Sequence, residues 1–346
     1  MGMDLHTMFL TMAGEKGPSG FEEPVAKTAQ RLLEPYVDET WFDRLGSLVG
    51  VRRCGKKGAK KILLDAHLDE IGLMVTGIEE GFLRFTEIGG VDQRMLPDRE
   101  VTVLCDPPLM GVIACLPPHV QSAKDSDKAM EMEDLYIDVG LSQEEAERRI
   151  PIGTPVTYRC GCFFMGDGRV CGKSMDDRAC FVSLVLCAKL LKDKDLDCDV
   201  YFIGSSREEV NGAGAECAAF AIAPDACVAV DVTHGDSPDA PKEKTYQLGG
   251  GPVIGLGPNC VRTLSRALEE SARRQNIPYQ QEVMTGHTGT NAWGVQVRRE
   301  GIATAVLSLP LRYMHTPVEV LDTEDLKRLA QVLSGFVGQI GKEGAV

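Results

Sequence analysis

Acidic and imidazole side chains stand at the ends of several predicted strands and at the start of one predicted helix. They are His67, Asp69, Asp176, Asp177, Glu208, Glu209, Asp231 and His315. Oxygen and imidazole donors without a thiolate suit zinc, cobalt or manganese. Asp69 follows His67 by two residues, and a carboxylate beside a metal-bound imidazole commonly fixes its tautomer. These residue types indicate chemistry carried out with divalent metal ions.

Each of these features alone also has an ordinary structural interpretation. A single His-x-Asp is more often a surface or packing pair, and two acids at a helix start are typical of capping. Glu208 and Glu209 could equally be a solvated pair. Asp231 is harder to dismiss, because a charge inside the apolar run VAVDV is rarely left without a partner. The recurrence of such residues at successive strand ends favours one shared site.

Alternating apolar strands and helices from residue 174 onward place these side chains on a sheet. Strands are predicted at residues 61–67, 199–204, 226–232 and 303–309, and helices at residues 3–13, 22–33, 181–191, 212–223, 261–276 and 323–340. Such alternation predicts an α/β sheet with helices on its faces. Sites on sheets of this kind lie at the carboxyl ends of strands, where the acids and imidazoles stand.

Residues 76–164 have a different sequence pattern. Short β-type runs are interrupted there by Pro97, Pro107-Pro108 and Pro117-Pro118. We predict an inserted β-rich domain at residues 76–164 and a main domain formed by residues 1–75 and 165–346. Residues 123–133 are polar and charged, and we expect them to form a loop on the inserted domain.

The acidic composition excludes several classes of function. The chain of 346 residues carries a formal net charge of −14, so it lacks the basic surface that nucleic-acid binding needs. The same charge disfavours anionic membranes. The N-terminal residues lack a secretory signal, and the twelve cysteines are interpreted as reduced thiols. We expect a cytoplasmic protein that binds neither nucleic acid nor membrane.

Segments distributed over nearly the whole chain resemble those of one family. They are residues 17–23 (GPSGFEE), 65–72 (DAHLDEIG), 172–178 (GKSMDDR), 205–209 (SSREE), 231–233 (DVT) and 312–319 (RYMHTPVE). The resemblance is to the co-catalytic dimetal aminopeptidases that assemble as tetrahedral (TET) particles. That family includes glutamyl and leucyl aminopeptidases and proteins labelled CelM endoglucanase.

The resemblance implies an α/β fold, with a mixed-sheet α/β/α peptidase domain and an inserted β-barrel-like dimerisation domain. It implies two divalent ions per subunit, Zn²⁺ or Co²⁺, with Mn²⁺ as a further choice. The residues it assigns to them are His67 with Asp231, Glu209 with His315, and Asp176 as the bridge between the two ions.

Further roles follow from the same resemblance. Glu208 would be the general base, Asp69 would support His67, and the Asp176–Asp177 peptide bond would be cis. The implied activity is hydrolysis of N-terminal residues from peptide substrates by a homo-oligomer, with a dodecamer among the expected sizes. Asn291 departs from the family pattern, because an Asp is usual at that position.

Two other hydrolase functions stay open at this point. A carboxypeptidase or N-deacylase can be built on the same metal scaffold, although such enzymes usually carry a different inserted domain. An endoglucanase would need two carboxylates on either side of a sugar bond. Alternation along a strand predicts that Glu208 and Glu209 point to opposite faces, which disfavours that function.

Overall fold

The computed structural model describes residues 4–120, 131–166 and 168–340. Its helices are α1 (Leu5–Gly14), α2 (Glu23–Leu33), α3 (Gln143–Arg149), α4 (Met175–Leu191), α5 (Glu208–Asn211), α6 (Ala213–Ile222), α7 (Arg262–Arg274), α8 (Ala292–Val295) and α9 (Thr323–Ile340). Its strands are β1 (Glu39–Phe42), β2 (Leu48–Arg52), β3 (Lys60–His67), β4 (Gly72–Glu79), β5 (Phe82–Ile88), β6 (Glu100–Val103), β7 (Leu109–Cys115), β8 (Leu135–Asp138), β9 (Pro155–Tyr158), β10 (Phe163–Met165), β11 (Arg169–Gly172), β12 (Cys198–Ser205), β13 (Ala226–His234), β14 (Val253–Leu256), β15 (Gln280–Val283), β16 (Ala303–Leu311) and β17 (Glu319–Asp322).

The larger sheet has eight strands in the order β1-β2-β12-β3-β13-β16-β14-β15. Its centre is parallel, since β3 pairs in parallel with both β12 and β13, and β13 does so with β16. The antiparallel pairs β1·β2, β2·β12 and β14·β16 make the sheet mixed. The parallel centre brings the carboxyl ends of β12, β3, β13 and β16 to one edge.

Helices cover both faces of this sheet. On one face, α1, α2, α4, α7 and α9 pack over a continuous apolar core. On the other face, α6 contributes to a separate core with side chains of β2, β3 and β12. α2 shows the local reason, because Val25, Ala29 and Leu33 recur at helical spacing and are all buried. The α/β/α arrangement with a mixed sheet is as predicted.

A second core lies within a closed barrel of strands in the order β4-β5-β8-β7-β6-β9. The barrel strands begin at Gly72 and end at Tyr158. The barrel-like insertion is therefore present, while the division of the chain at residues 76 and 164 stays a prediction. Of the loop predicted at residues 123–133, residues 123–130 lie outside the described residues.

Helix α4 differs from its prediction in its first turn. It begins at Met175, but Asp176 and Asp177 have non-helical backbone angles. The peptide bond between these two residues is cis, as the resemblance implied. Asp176 and Asp177 therefore form a kink and do not continue a regular helical turn. Within the described residues, none of the helices has the length and apolar character needed to span a bilayer.

Candidate metal centre

The candidate site lies at the carboxyl edge of the parallel strands. His67 ends β3 and stands opposite Ser205, the last residue of β12. Asp231 lies near the end of β13, the other neighbour of β3, and His315 follows β16. Strands that are distant in sequence therefore deliver these side chains to one place, as the α/β pattern predicts.

Asp176 occupies the centre of the cluster. Its Oδ1 lies 3.0 Å from Nε2 of His67, and its Oδ2 lies 3.4 Å from Nε2 of His315. Burial works to raise the pKa of Asp176, but hydrogen bonds from His315 and His67 hold that pKa below its ordinary value. One carboxylate therefore faces two imidazoles with its two different oxygens.

Two more acids complete the cluster around these imidazoles. Asp231 Oδ1 lies 3.9 Å from Nε2 of His67. Glu209 Oε2 lies 3.3 Å from Nε2 of His315. The five residues that the resemblance assigns to the metals are thus brought together in the structure.

Asp69 contacts both the imidazole of His67 and the backbone of Glu208 and Glu209. Its Oδ1 lies 3.4 Å from Nδ1 of His67, and its backbone carbonyl oxygen lies 3.1 Å from the same nitrogen. Its two carboxylate oxygens also accept hydrogen bonds from the backbone N–H groups of Glu208 (3.0 Å) and Glu209 (3.1 Å). The second role could not be read from spacing, because it depends on the contact between the loops after β3 and β12.

The expectation that Glu208 and Glu209 point to opposite faces is wrong. β12 ends at Ser205, Arg207 has a left-handed φ of 61°, and the two glutamates begin the short helix α5. Strand alternation no longer applies there. Both side chains line the same cavity, and Glu208 Oε2 lies 4.0 Å from Nε2 of His67.

The electrostatics of the cluster fit divalent cations. Burial raises the pKa of Glu208 to about 7 and the pKa values of Glu209 and Asp231 well above the ordinary range. Neither Lys nor Arg is among the described residues that line the cavity. Buried carboxylates are normally paired or coordinate metals. Imidazoles and carboxylates together are a donor set that zinc or cobalt accepts.

Asp177, which the resemblance does not assign to a metal, also lies in the cluster. Donor atoms of His67, Asp177 and Asp231 lie within 4.8 Å of one another, as do those of His67, Asp176 and Glu209. Asp177 Oδ2 accepts the backbone N–H of His67 at 3.2 Å. Its Oδ1 is buried and has no hydrogen-bond partner among the described residues.

Glu319 was part of a matched segment, but its role could not be predicted from the sequence. Its Oε2 accepts the backbone N–H groups of Met175 (2.7 Å) and Asp176 (3.2 Å). Its Oε1 accepts the N–H of His315 at 3.0 Å. One buried carboxylate thus ties the segment that carries the central Asp176 to the segment that carries His315.

Glu70 forms a buried ion network behind the site. It lies 2.5 Å from Nζ of Lys173 and 3.2 Å from Nη2 of Arg178. It also accepts hydrogen bonds from Gly17 N and from the hydroxyl of Thr157, on barrel strand β9. Burial opposes ionisation of Glu70, but Arg178 and Lys173 lower its pKa to about 2. The network joins the N-terminal segment, the barrel and the start of α4.

Asn291, which departs from the family pattern, is buried away from the cavity. Its Nδ2 donates to Asp65 Oδ2 (2.8 Å) and to the hydroxyl of Ser205 (3.0 Å). Burial raises the pKa of Asp65 to about 6. The amide therefore serves as a donor to a buried acid on β3, a pairing that only the tertiary structure reveals.

The cluster opens into a cavity of about 430 Å³. His234 and His287 line it, as do Glu282, Met284 and Met314. The volume lies within the range of small-molecule sites, roughly 300–1,000 Å³. The part of the cavity formed by Asp176, Glu208, Glu209, Asp231 and His315 is called the metal end, and the remaining lining is a mixed polar and apolar wall.

The chain matches one family model and several proteins of known sequence or structure. The sequence profile described as M42 glutamyl aminopeptidase matches residues 46–332. A lysyl aminopeptidase from Pyrococcus furiosus is 34% identical over 330 residues, covering 94% of each chain. The solved structure of an aminopeptidase from Desulfurococcus kamchatkensis is 35% identical with a TM-score of 0.90, covering 97% of this chain and 94% of that one. The Pyrococcus horikoshii TET1 peptidase, which can assemble into a tetrahedron or a large octahedral shell, is 30% identical with a TM-score of 0.85, over 97% of this chain and 100% of that one. The chain described here belongs to the M42 glutamyl aminopeptidase family.

Proposed function

We propose that this protein is a metal-dependent aminopeptidase that uses two divalent cations to hydrolyse N-terminal residues from peptides. The observation that carries the proposal is the position of Asp176, whose two carboxylate oxygens face His67 at 3.0 Å and His315 at 3.4 Å. A carboxylate between two imidazoles is the arrangement expected of a bridging ligand in a two-metal site.

The remaining ligands divide between the two imidazoles. His67 with Asp231 would hold one cation, and Glu209 with His315 would hold the other. Zn²⁺ or Co²⁺ suits this mixture of nitrogen and oxygen donors, and Mn²⁺ is a further candidate. The short distance between Glu209 and His315, 3.3 Å, supports this division.

When bound, the cations supply Lewis-acid polarisation of the scissile carbonyl and lower the pKa of a water molecule. Glu208 has the position of the general base, because it lies in the cavity beside His67 and is not among the proposed ligands. Its carboxylate would accept the proton of the attacking water and deliver it to the departing amine. Asp69 would orient His67 and, through the backbone N–H of Glu208, the base itself.

Self-association is a second part of the proposal. The barrel exposes large apolar side chains at Met110, Val112 and Leu116, with exposed fractions of 56%, 45% and 51%. Met110 and Val112 lie two residues apart on β7 and so share one face, and contiguous exposed apolar surface marks sites that bind other proteins. We infer a homo-oligomer formed through the barrel, up to a dodecamer, and sedimentation of the pure protein as a monomer at micromolar concentration would contradict it.

Its location would be the cytoplasm. All twelve cysteines lie within the described residues and are free thiols, which suits a reducing compartment. The expected partners are peptide substrates and further copies of the chain, without nucleic acid or membrane.

The test of the activity is a substrate panel on metal-reconstituted protein. Aminoacyl amides should be cleaved, and prior removal of metal with a chelator should abolish the cleavage. An N-acetylated peptide distinguishes an N-deacylase or carboxypeptidase, and a cellulose oligomer distinguishes an endoglucanase. Cleavage of either control at rates comparable with the amides would refute the aminopeptidase assignment.

A further inference from the structure

Glu282 places a carboxylate in the wall of the cavity, away from the proposed metal ligands. It lies on β15, the edge strand of the larger sheet, and lines the same cavity as Asp176 and Glu208. It is not among the groups of donors that could hold a metal in the described part of the chain. Its carboxylate therefore serves neither of the roles assigned to the other acids of the cavity.

One oxygen of this carboxylate is left without a partner. The Thr233 side chain lies beside Glu282. Oε2 of Glu282 is buried and makes no hydrogen bond to any of the described residues. Burial raises the pKa of Glu282, and His234 opposes this shift. A desolvated carboxylate oxygen without a donor is costly, so a ligand that supplies a positively charged donor there would be favoured.

The negative charge of Glu282 has no positively charged Lys or Arg side chain opposite it among the described lining residues. At the metal end, two bound divalent cations would favour the ionised forms of Asp176, Glu208, Glu209 and Asp231, and their four positive charges would match those four carboxylates. Glu282 adds one more negative charge. Because neither Lys nor Arg is among the described lining residues, this charge has no fixed positive counterpart in the wall.

Thr233, the neighbour of Glu282, lies on the same strand as the proposed ligand Asp231. It lies two residues after Asp231 on β13, so both side chains point to the same face of the strand. Two residues along a strand span roughly 6.5 Å. Lys and Arg carry their charge at the end of a stem of three or four carbons, which is suited to that separation.

We propose that Glu282 selects peptides whose N-terminal residue is basic, by pairing with the ammonium or guanidinium group of that residue. This inference rests on the proposed aminopeptidase function and adds to it the class of substrate. Met284, Met314 and Val232 line the same cavity and provide apolar surface for the aliphatic stem. The α-amine and the scissile carbonyl would then lie at the metal end.

A different role for Glu282 makes a different prediction. If it anchored the α-amine, which every N-terminal residue carries, its loss would slow all substrates equally. If it pairs with the side chain, its loss slows only basic substrates. Norleucine matches the lysine stem without the ammonium group, so a lysyl and a norleucyl substrate separate the two roles.

The experiment measures kcat/KM for lysyl, arginyl, norleucyl and glutamyl p-nitroanilides on metal-reconstituted protein. Wild type should prefer the lysyl over the norleucyl substrate by roughly 10- to 100-fold, the range expected of a hydrogen bond between charged groups. Glu282→Gln should remove most of this preference while norleucyl cleavage changes less than about twofold. Glu243→Gln, which removes an exposed carboxylate outside the cavity, is the matched control and should keep the preference.

Binding of the free products gives a readout independent of turnover. In calorimetry, L-lysine should bind the wild-type protein more tightly than L-norleucine, and Glu282→Gln should bring the two affinities together. Equal cleavage of lysyl and norleucyl substrates by wild type, or equal losses on both in Glu282→Gln, would overturn the assignment of Glu282. Failure of wild type to cleave any aminoacyl substrate would instead refute the proposed function, and this inference with it.

Discussion

Glu319 offers a precise test of how the candidate metal centre is held together. Its carboxylate is buried and accepts three backbone N–H groups, those of Met175, Asp176 and His315. Glu319→Gln keeps the size of the side chain but leaves a single accepting oxygen. The NH₂ group of the glutamine can only donate a hydrogen bond, so it would face at least one backbone N–H that has lost its acceptor.

The magnitude follows from which bonds can survive. An amide oxygen in the place of Oε2 keeps the bonds to Met175 and Asp176, so the N–H of His315 is the one that loses its acceptor. A hydrogen bond to a charged group contributes about 1.5–3 kcal/mol. Metal binding would then have to order the His315 segment unaided. The affinity of that metal site should fall by up to about 10- to 150-fold.

The assay is a metal titration of the metal-free protein against a competing chelator, with activity followed in parallel. We expect Glu319→Gln to lose one metal at lower chelator concentration than wild type and to regain activity in excess metal. Glu324→Gln is the control, because Glu324 forms an exposed pair with Lys327 on α9. Such surface pairs contribute little.

The result that would refute this reasoning is unchanged affinity for both metals in Glu319→Gln. Low activity that excess metal fails to restore would also contradict it, because the damage would then lie in the chemistry and not in the ligand geometry.

The remaining predictions concern the base, the buried ion network and the buried amide. Glu208→Gln should keep its metal content while kcat falls by roughly 10²- to 10⁴-fold, whereas Glu209→Gln should lose metal and recover in excess metal; metal analysis with steady-state rates decides between them. Glu70→Gln should lower the free energy of unfolding by about 3–5 kcal/mol at neutral pH, because Lys173 would keep a buried charge without its partner. The pKa of Glu70 in the folded protein, about 2, is below its ordinary value. The loss of stability in Glu70→Gln, relative to wild type, should therefore be complete above pH 4.5 and should disappear as the pH falls towards 2. Denaturation of both proteins across this pH range measures it. Asn291→Asp should cost about 1–3 kcal/mol by removing the donor to Asp65, and adding Asp65→Asn should restore stability.

Much of this protein could be predicted from the sequence because the signals are local. Apolar runs such as residues 61–66 predict buried strands, and helical spacing of Val25, Ala29 and Leu33 predicts a packed face. Residue types fix donor chemistry, so imidazoles and carboxylates at strand ends indicated metals before any distance was known. The order of the motifs along the chain was enough to identify the family.

Contacts between distant segments were decided only by the tertiary structure. Glu208 and Glu209 share one cavity because the left-handed turn at Arg207 ends the alternation of β12, a backbone change that residue types do not encode. Asn291 and Asp65 are 226 residues apart in the sequence, and only the folded chain brings them together in the interior.

Glu319 and Glu282 show the same limit. Both are acids in short strands. Glu319 lies within a matched segment and Glu282 does not, but for neither does the sequence indicate which groups the side chain contacts. Glu319 becomes a positioning residue because two separate loops present three N–H groups to it. Glu282 becomes a candidate for substrate recognition because the edge strand faces the cavity beyond Thr233. The sequence determines which donor, acceptor and charged groups are available. The packing of the folded chain determines which of these groups lie close together, and the interaction energy of two charges depends on their burial and on the distance between them.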